Sequence, residues 1–223
     1  MARGPVTHRD RLLKGAIEIE LISVGWIMTE AILAAIAAYR AGSLSLSAFS
    51  VDSSIELLSG MMLVVRLYVE IQSGEEMTAS HKVERWTSGV ISWCLFTLAA
   101  YISYRSGQLL HVRAGSAMTL LGLVTAAASS VITPWLAWQK LRYGRLLHSP
   151  SLIGDAMCGF TCASMSWTLL LGLGLNSLFH WWWVDVVAAV GILYFILQEA
   201  WESWHSFQSG EPHVHDHTHF HRH

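Results

Sequence analysis

The chain has 223 residues, of which 53% are hydrophobic and only 13% are charged. Roughly a quarter of the residues of a soluble domain are charged, so this composition excludes an ordinary soluble protein and indicates a polytopic membrane protein. The formal net charge of −2 also argues against a nucleic-acid partner, which would need a basic face.

Six segments are long enough to cross a bilayer, since a span takes about 20 mainly apolar residues. They cover residues 17–39, 46–69, 87–104, 117–138, 152–175 and 181–201. Of the 14 Lys and Arg residues, eleven flank one side of these spans and three flank the other. The positive-inside rule therefore predicts that both termini are cytoplasmic. Tryptophans gather where the spans end, which is typical of the membrane interface.

The expected fold is an all-α membrane protein, a bundle of six transmembrane helices. We divide the chain into a cytoplasmic N-terminal segment (residues 1–16), a transmembrane domain (17–204) and a His-rich cytoplasmic tail (205–223). The N-terminal segment is polar and basic, and the apolar run after it is long enough to stay in the membrane rather than be removed. The expected location is the cell membrane, which is the inner membrane in a bacterium.

Span one carries Glu30 deep inside its apolar run. We expect this side chain to face the bundle interior, where it either supports a metal site or a proton pathway, or packs as a protonated or hydrogen-bonded residue. Span four carries Ser129, Ser130 and Thr133, which we assign to close helix packing without chemistry.

Span two places Asp52 and Glu56 four residues apart in an apolar run. Residues with this spacing share one face of a helix. An ionisable side chain inside a span costs a few kcal/mol to insert and is a functional-site hypothesis by default. The alternative is that both carboxylates accept hydrogen bonds from neighbouring serines.

Span five repeats the spacing with Cys158 and Cys162, and Asp155 precedes them by about one turn. Two paired faces on two helices can supply four ligands to a metal ion, and Zn²⁺ accepts Asp, Glu and Cys in tetrahedral geometry. In one alternative, Asp155 joins Asp52 and Glu56 in an oxygen-rich site and the cysteines only pack. A cysteine redox pair is disfavoured, because adjacent turns of a helix give poor disulfide geometry.

Histidines outside the spans are further candidate ligands. His81 lies with Glu75, Glu76 and Glu84 in the loop before span three, as a weaker cation site or a solvated loop. The tail alternates histidines with other residues, and clustered histidines bind transition metals. Its members are His213, His215, His217, His219, His221 and His223. Such a tail can capture metal but cannot by itself move it across a membrane.

These segments together resemble the cation diffusion facilitator family, the proton-coupled exporters of zinc and related divalent metals. GSLSLSAFSVDSSIE is similar to the family's second-helix motif, with Asp52 and Glu56 at its two acidic positions. GDAMCGFTC resembles the fifth-helix motif, in which Asp155, Cys158 and Cys162 take the places of Asp, His and Asp. WWWVDVVAAVGILYFILQEAWES is similar to the sixth helix through its whole length, up to Glu199 where the span ends, and HKVERW matches a loop motif in part.

Three departures from the family pattern affect what the resemblance implies. Glu56 is one methylene longer than the usual Asp, and Cys158 and Cys162 replace His and Asp. Sulfur ligands favour Zn²⁺, Cd²⁺ or Cu⁺ over Mn²⁺, and Co²⁺ is a further candidate. No segment resembles the family's cytoplasmic metal-sensing domain, so dimerisation through that domain does not carry over and a homodimer is left open.

The expected function is efflux of a divalent metal, Zn²⁺ foremost, in exchange for protons, with no enzymatic activity and no cofactor. Four ionised ligands would hold −4 against +2, so at least one must carry a proton, or a basic residue or water must approach. Metal binding displaces protons from thiols and carboxylic acids, which makes antiport by alternating access a natural mechanism. The alternative is a non-transporting membrane metal sensor or scaffold. An intramembrane cysteine enzyme would lack a histidine base within the spans.

Overall fold

The computed structural model describes residues 8–73, 80–112, 119–179 and 183–209. Six α-helices account for nearly all of them, and this part of the chain contains no strand. The helices are α1 (His8–Ala41), α2 (Leu44–Ser73), α3 (Ser80–Val112), α4 (Leu120–Leu147), α5 (Pro150–Phe179) and α6 (Val184–Ser209). The expected all-α six-helix bundle is confirmed.

The outer surface of the bundle is apolar, as lipid contact requires. Ile32, Val65, Val131 and Leu171 are among many large hydrophobic side chains that point outward. Five helices are long and apolar enough to span a membrane, in a search confined to the described residues. These five are α1, α2, α4, α5 and α6; the helix that contains the predicted third span, α3, is not among them. The molecule is therefore a multi-pass membrane protein.

Helix α2 lies at the centre of the bundle and contacts α1, α3, α5 and α6. Helices α4 and α5 pack together along their length, α1 packs on both α2 and α4, and α3 packs on α6. The main core combines small residues such as Ala34 and Ala37 with larger ones such as Phe49, Met165 and Ile192. Small residues let helix backbones approach closely where burial of apolar area gives little driving force in lipid.

The described helix ends at three positions carry recognisable start and stop signals. Gly42 adopts φ +60° between α1 and α2, a left-handed conformation that glycine enters without steric cost. The side chain of Thr119 caps the start of α4 by accepting a hydrogen bond from the backbone N–H of Gly122. His148 ends α4 in the left-handed conformation, and Pro150 opens α5.

The start of α2 is fixed by a carboxylate on α6. Asp185 accepts hydrogen bonds from the hydroxyls of Ser43 (2.7 Å) and Ser45, and from the backbone N–H of Leu44 (2.9 Å). These donors lie at the N-terminus of a helix, where backbone N–H groups lack partners and negative charge is favoured. Asp185 thereby sets where α2 begins and which way its later residues face.

Candidate cation site

The acidic face of α2 turns into the bundle. Asp52 is 3% exposed and Glu56 is 8% exposed, so both carboxylates of the predicted pair are buried. The neighbouring serine hydroxyls donate to backbone carbonyls: Ser50 to Ala31, and Ser53 to Phe49. A hydroxyl has one hydrogen to donate, so these serines do not supply the carboxylates with the hydrogen bonds that the serine alternative requires.

Helix α5 presents its cysteines to this region. Cys162 is buried, and its thiol donates a hydrogen bond to the carboxylate of Glu56 on α2. Cys158, one turn away, is half-buried, and its thiol hydrogen-bonds to the carboxylate of Glu199 on α6. All three cysteines of the chain are free of disulfides. The two predicted faces therefore meet through Glu56 and Cys162, whereas Cys158 contacts α6.

The contact between the two predicted faces is one hydrogen bond, from Cys162 to Glu56, rather than a ready-made coordination shell. Within the described ranges, no group of three or more His, Cys, Asp or Glu side chains is arranged to hold a metal ion. The second carboxylate oxygen of Glu56, Oε2, is buried and has no hydrogen-bond partner among the described residues. An acceptor of this kind is the atom that a cation or a proton would satisfy.

Asp155 lies in a separate ion cluster. Its Oδ2 is 2.6 Å from the Nζ of Lys140 on α4, and the same Nζ is 3.2 Å from Oε1 of Glu20 on α1. All three side chains are buried. An oxygen-rich site that used Asp155 with Asp52 and Glu56 would have to break the ion pair with Lys140.

The position of Lys140 differs from the predicted one. The predicted spans place it in the cytoplasmic loop after span four, but α4 continues to Leu147 and Lys140 is only 2% exposed. Hydropathy marks where apolar residues stop, whereas the helix continues because a buried partner on each neighbouring helix compensates the lysine's charge. Lys140 is close enough to Glu56 for their charges to interact, so a basic residue does approach the candidate site.

Glu30 faces the interior, as expected, and is 1% exposed. The Ser129 hydroxyl donates to its Oε1 at 2.9 Å, and Thr133 lies 3.5 Å from its Oε2. Ser129 also contacts the hydroxyl of Ser166 on α5 at 2.7 Å. The assignment of Ser129 and Thr133 to packing alone is incomplete, because they solvate a buried carboxylate. The charges of Glu30 and Glu56 interact, which connects this network to the candidate site.

Several predicted ligands cannot be placed. His81 lies in the first turn of α3, and its side chain is outside the described part of the structure. The tail histidines His213, His215, His217 and His219 also fall outside the described residues. Their assignment as metal ligands stays a prediction.

Sequence reasoning misses Glu199, Glu20 and Lys140 as neighbours of the site. The sequence marks Glu199 only as the acidic residue where the sixth span ends. The sequence does contain a signal for Glu199, because a carboxylate on an otherwise apolar helix needs a partner, as Asp52 does. What the sequence does not give is the identity of that partner on another helix.

Comparison with known proteins agrees with this architecture. A family model described as the cation efflux transmembrane domain matches residues 21–207. The uncharacterized transporter sll1263 of Synechocystis sp. is 24% identical over 158 residues, which cover 70% of this chain and 51% of that protein. The chain thus spans about half the length of the curated relative it matches. Because the family match extends over most of the chain, from α1 to α6, the protein belongs to the cation efflux family.

Proposed function

We propose that the protein exports a divalent transition-metal ion, Zn²⁺ foremost, in exchange for protons. The observation that carries the proposal is the hydrogen bond between Glu56 of α2 and Cys162 of α5, inside a bundle whose outer surface is apolar. A carboxylate and a thiol in contact are two ligands that Zn²⁺ accepts, and they come from two helices that can move relative to each other.

The charges around the site support exchange with protons. The single ammonium of Lys140 already faces two carboxylates, Glu20 and Asp155, so this cluster carries a net charge of −1 when all three groups are ionised. It cannot also neutralise Asp52 and Glu56. Compensation in the metal-free site must come from protons on the carboxylates, while Cys162 and Cys158 stay neutral thiols that donate hydrogen bonds. A metal ion binds thiolate and carboxylate, so its arrival releases the protons that those ligands carried.

We infer a cycle of alternating access about this fixed site. When the site opens to the cytoplasm, a metal ion displaces protons from the thiols and carboxylic acids. When the site opens to the other side, the metal leaves and protons return. Movement of α2 against α5 and α6 would provide the two openings, since the site residues lie on these three helices.

The test is metal and proton flux in proteoliposomes that contain the full chain. A pH gradient should drive Zn²⁺ movement, and the opposing proton movement should register on an internal pH indicator. Asp52→Ala and the double variant Cys158→Ala/Cys162→Ala should reduce Zn²⁺ flux at least tenfold. Cys94→Ala is the matched control, because Cys94 is an exposed cysteine on α3. Wild-type flux in both site variants, or metal binding without any flux, would refute the proposal.

A further inference from the structure

We propose that Glu199 of α6 is a direct ligand of the transported cation, so that the site is built from three helices and is richer in oxygen than α2 and α5 alone would make it. The inference rests on the proposed transport function and adds a ligand to the same site. Glu199 is carried by α6, which packs on both α2 and α5.

Two contacts place the carboxylate of Glu199 at the site. It accepts a hydrogen bond from the thiol of Cys158, and it is close enough to Asp52 and Glu56 for their charges to interact. Glu199 is half-buried, on a helix whose apolar segment extends from Val184 to His205. Glu56 of α2 and Glu199 of α6 therefore each contact one of the two cysteines of α5.

The unpartnered oxygen of Glu56 is the independent sign of a missing ligand. Oε2 of Glu56 is buried without a hydrogen-bond partner among the described residues, although the same carboxylate accepts a hydrogen bond from the Cys162 thiol. A buried acceptor without a partner is destabilising, because it has lost its water and gained nothing in exchange. A cation bound between Glu56, Asp52 and Glu199 would remove that penalty and the mutual repulsion of the carboxylates at once.

The carboxylate of Glu199 also gives the Cys158 thiol a hydrogen-bond acceptor. Only the thiolate is a metal ligand, and the Cys158 thiol retains its proton while it donates to Glu199. Glu199 accepts the hydrogen bond of that proton, and its carboxylate adds an oxygen ligand beside the sulfur that Cys158 offers once the proton has left. Carboxylate ligands suit harder cations and thiolates suit softer ones, so Glu199 should favour Zn²⁺ and Co²⁺ relative to Cd²⁺.

The experiment measures how metal protects the site cysteines from alkylation in the full chain. A membrane-permeant maleimide is applied to purified protein at increasing Zn²⁺ or Cd²⁺, and mass spectrometry gives the modified fraction of each cysteine. This readout ignores metal held elsewhere, such as by the tail histidines. Cys94 is an internal control, because it is exposed, distant from the site in sequence and on a different helix, α3.

Glu199→Gln should raise the Zn²⁺ concentration needed for half-protection by more than about tenfold, because loss of even an outer-shell partner of a metal ligand costs about 10–100-fold in affinity. The corresponding change for Cd²⁺ should be several-fold smaller, and Glu199→Asp should restore most of the Zn²⁺ protection. The matched control is Glu18→Gln, the same chemical change at an exposed position on α1, which should leave both curves unchanged.

The outcomes separate this inference from the proposed function. The inference fails if metal protects the cysteines of Glu199→Gln as well as those of the wild type, or if protection by Zn²⁺ and by Cd²⁺ weakens equally. Glu199 is then not a ligand that sets selectivity, while wild-type transport is unaffected by the result. If the wild-type cysteines are not protected by any metal and no flux is measured, the proposed function fails first.

Discussion

The buried ion cluster of Lys140, Glu20 and Asp155 gives the sharpest stability prediction. Lys140→Met would leave two carboxylates buried with no cation, where the wild type has Nζ at 2.6 Å and 3.2 Å from their oxygens. Removing one partner of a buried ion pair typically costs about 3–5 kcal/mol, because the remaining charge loses its compensation. We expect a loss of that size in the free energy of unfolding, measured by denaturant titration in detergent with circular dichroism.

Two further variants test the reasoning behind that number. The apolar triple variant Lys140→Met/Glu20→Met/Asp155→Leu should recover most of the loss, since replacing a whole buried ion cluster by hydrophobic residues of similar volume is often neutral or stabilising. Glu20→Gln alone should cost less than half as much as Lys140→Met, because the balanced pair of Lys140 and Asp155 remains. A cost for Lys140→Met below about 1 kcal/mol, or a triple variant no more stable than the single one, would refute the account.

Two packing features yield the remaining predictions. Gly172→Ala would place a Cβ 2.5 Å from Cβ of Ala188 and push α5 away from α6. This should lower the free energy of unfolding by about 1–3 kcal/mol. Gly174→Ala is the control and should be neutral or stabilising, because a Cβ there meets no atom within 4 Å. A Gly172→Ala variant as stable as Gly174→Ala would contradict the close packing of these two helices. Asp185→Ala removes three hydrogen bonds at the start of α2 and should cost at least about 1.5–3 kcal/mol in the same titration, with reduced Zn²⁺ flux because the acidic face of α2 loses its register. Unchanged stability and flux would exclude that role for Asp185.

The sequence predicts the number and approximate position of the helices because apolar runs and their flanking charges report directly on burial in lipid. It also predicts that Asp52 and Glu56 share a face, since spacing within a helix fixes relative direction. Helix ends are less accurate. The apolar signal of span four stops near Trp138, but the helix continues to Leu147 through a lysine whose partners lie on α1 and α5.

Sequence patterns do not predict which residues on different helices contact each other. Lys140 and Glu20 are 120 positions apart, and Ser43 and Asp185 are 142 apart. Nothing in the periodicity of either partner specifies the other, because the pairing depends on how the six helices pack. The same limit explains why the sequence indicates only a helix end at Glu199: its place beside Cys158 follows from the packing of α6 on α5 and α2.

The central claim is that a cation passes between α2 and α5, held by side chains that meet inside the bundle. The most direct test is the Zn²⁺ flux of the Cys158→Ala/Cys162→Ala protein in proteoliposomes under a pH gradient, compared with Cys94→Ala. Cys94→Ala should transport Zn²⁺ like the wild type, and the double variant should lose at least nine-tenths of the flux. Equal Zn²⁺ flux in both proteins would contradict it.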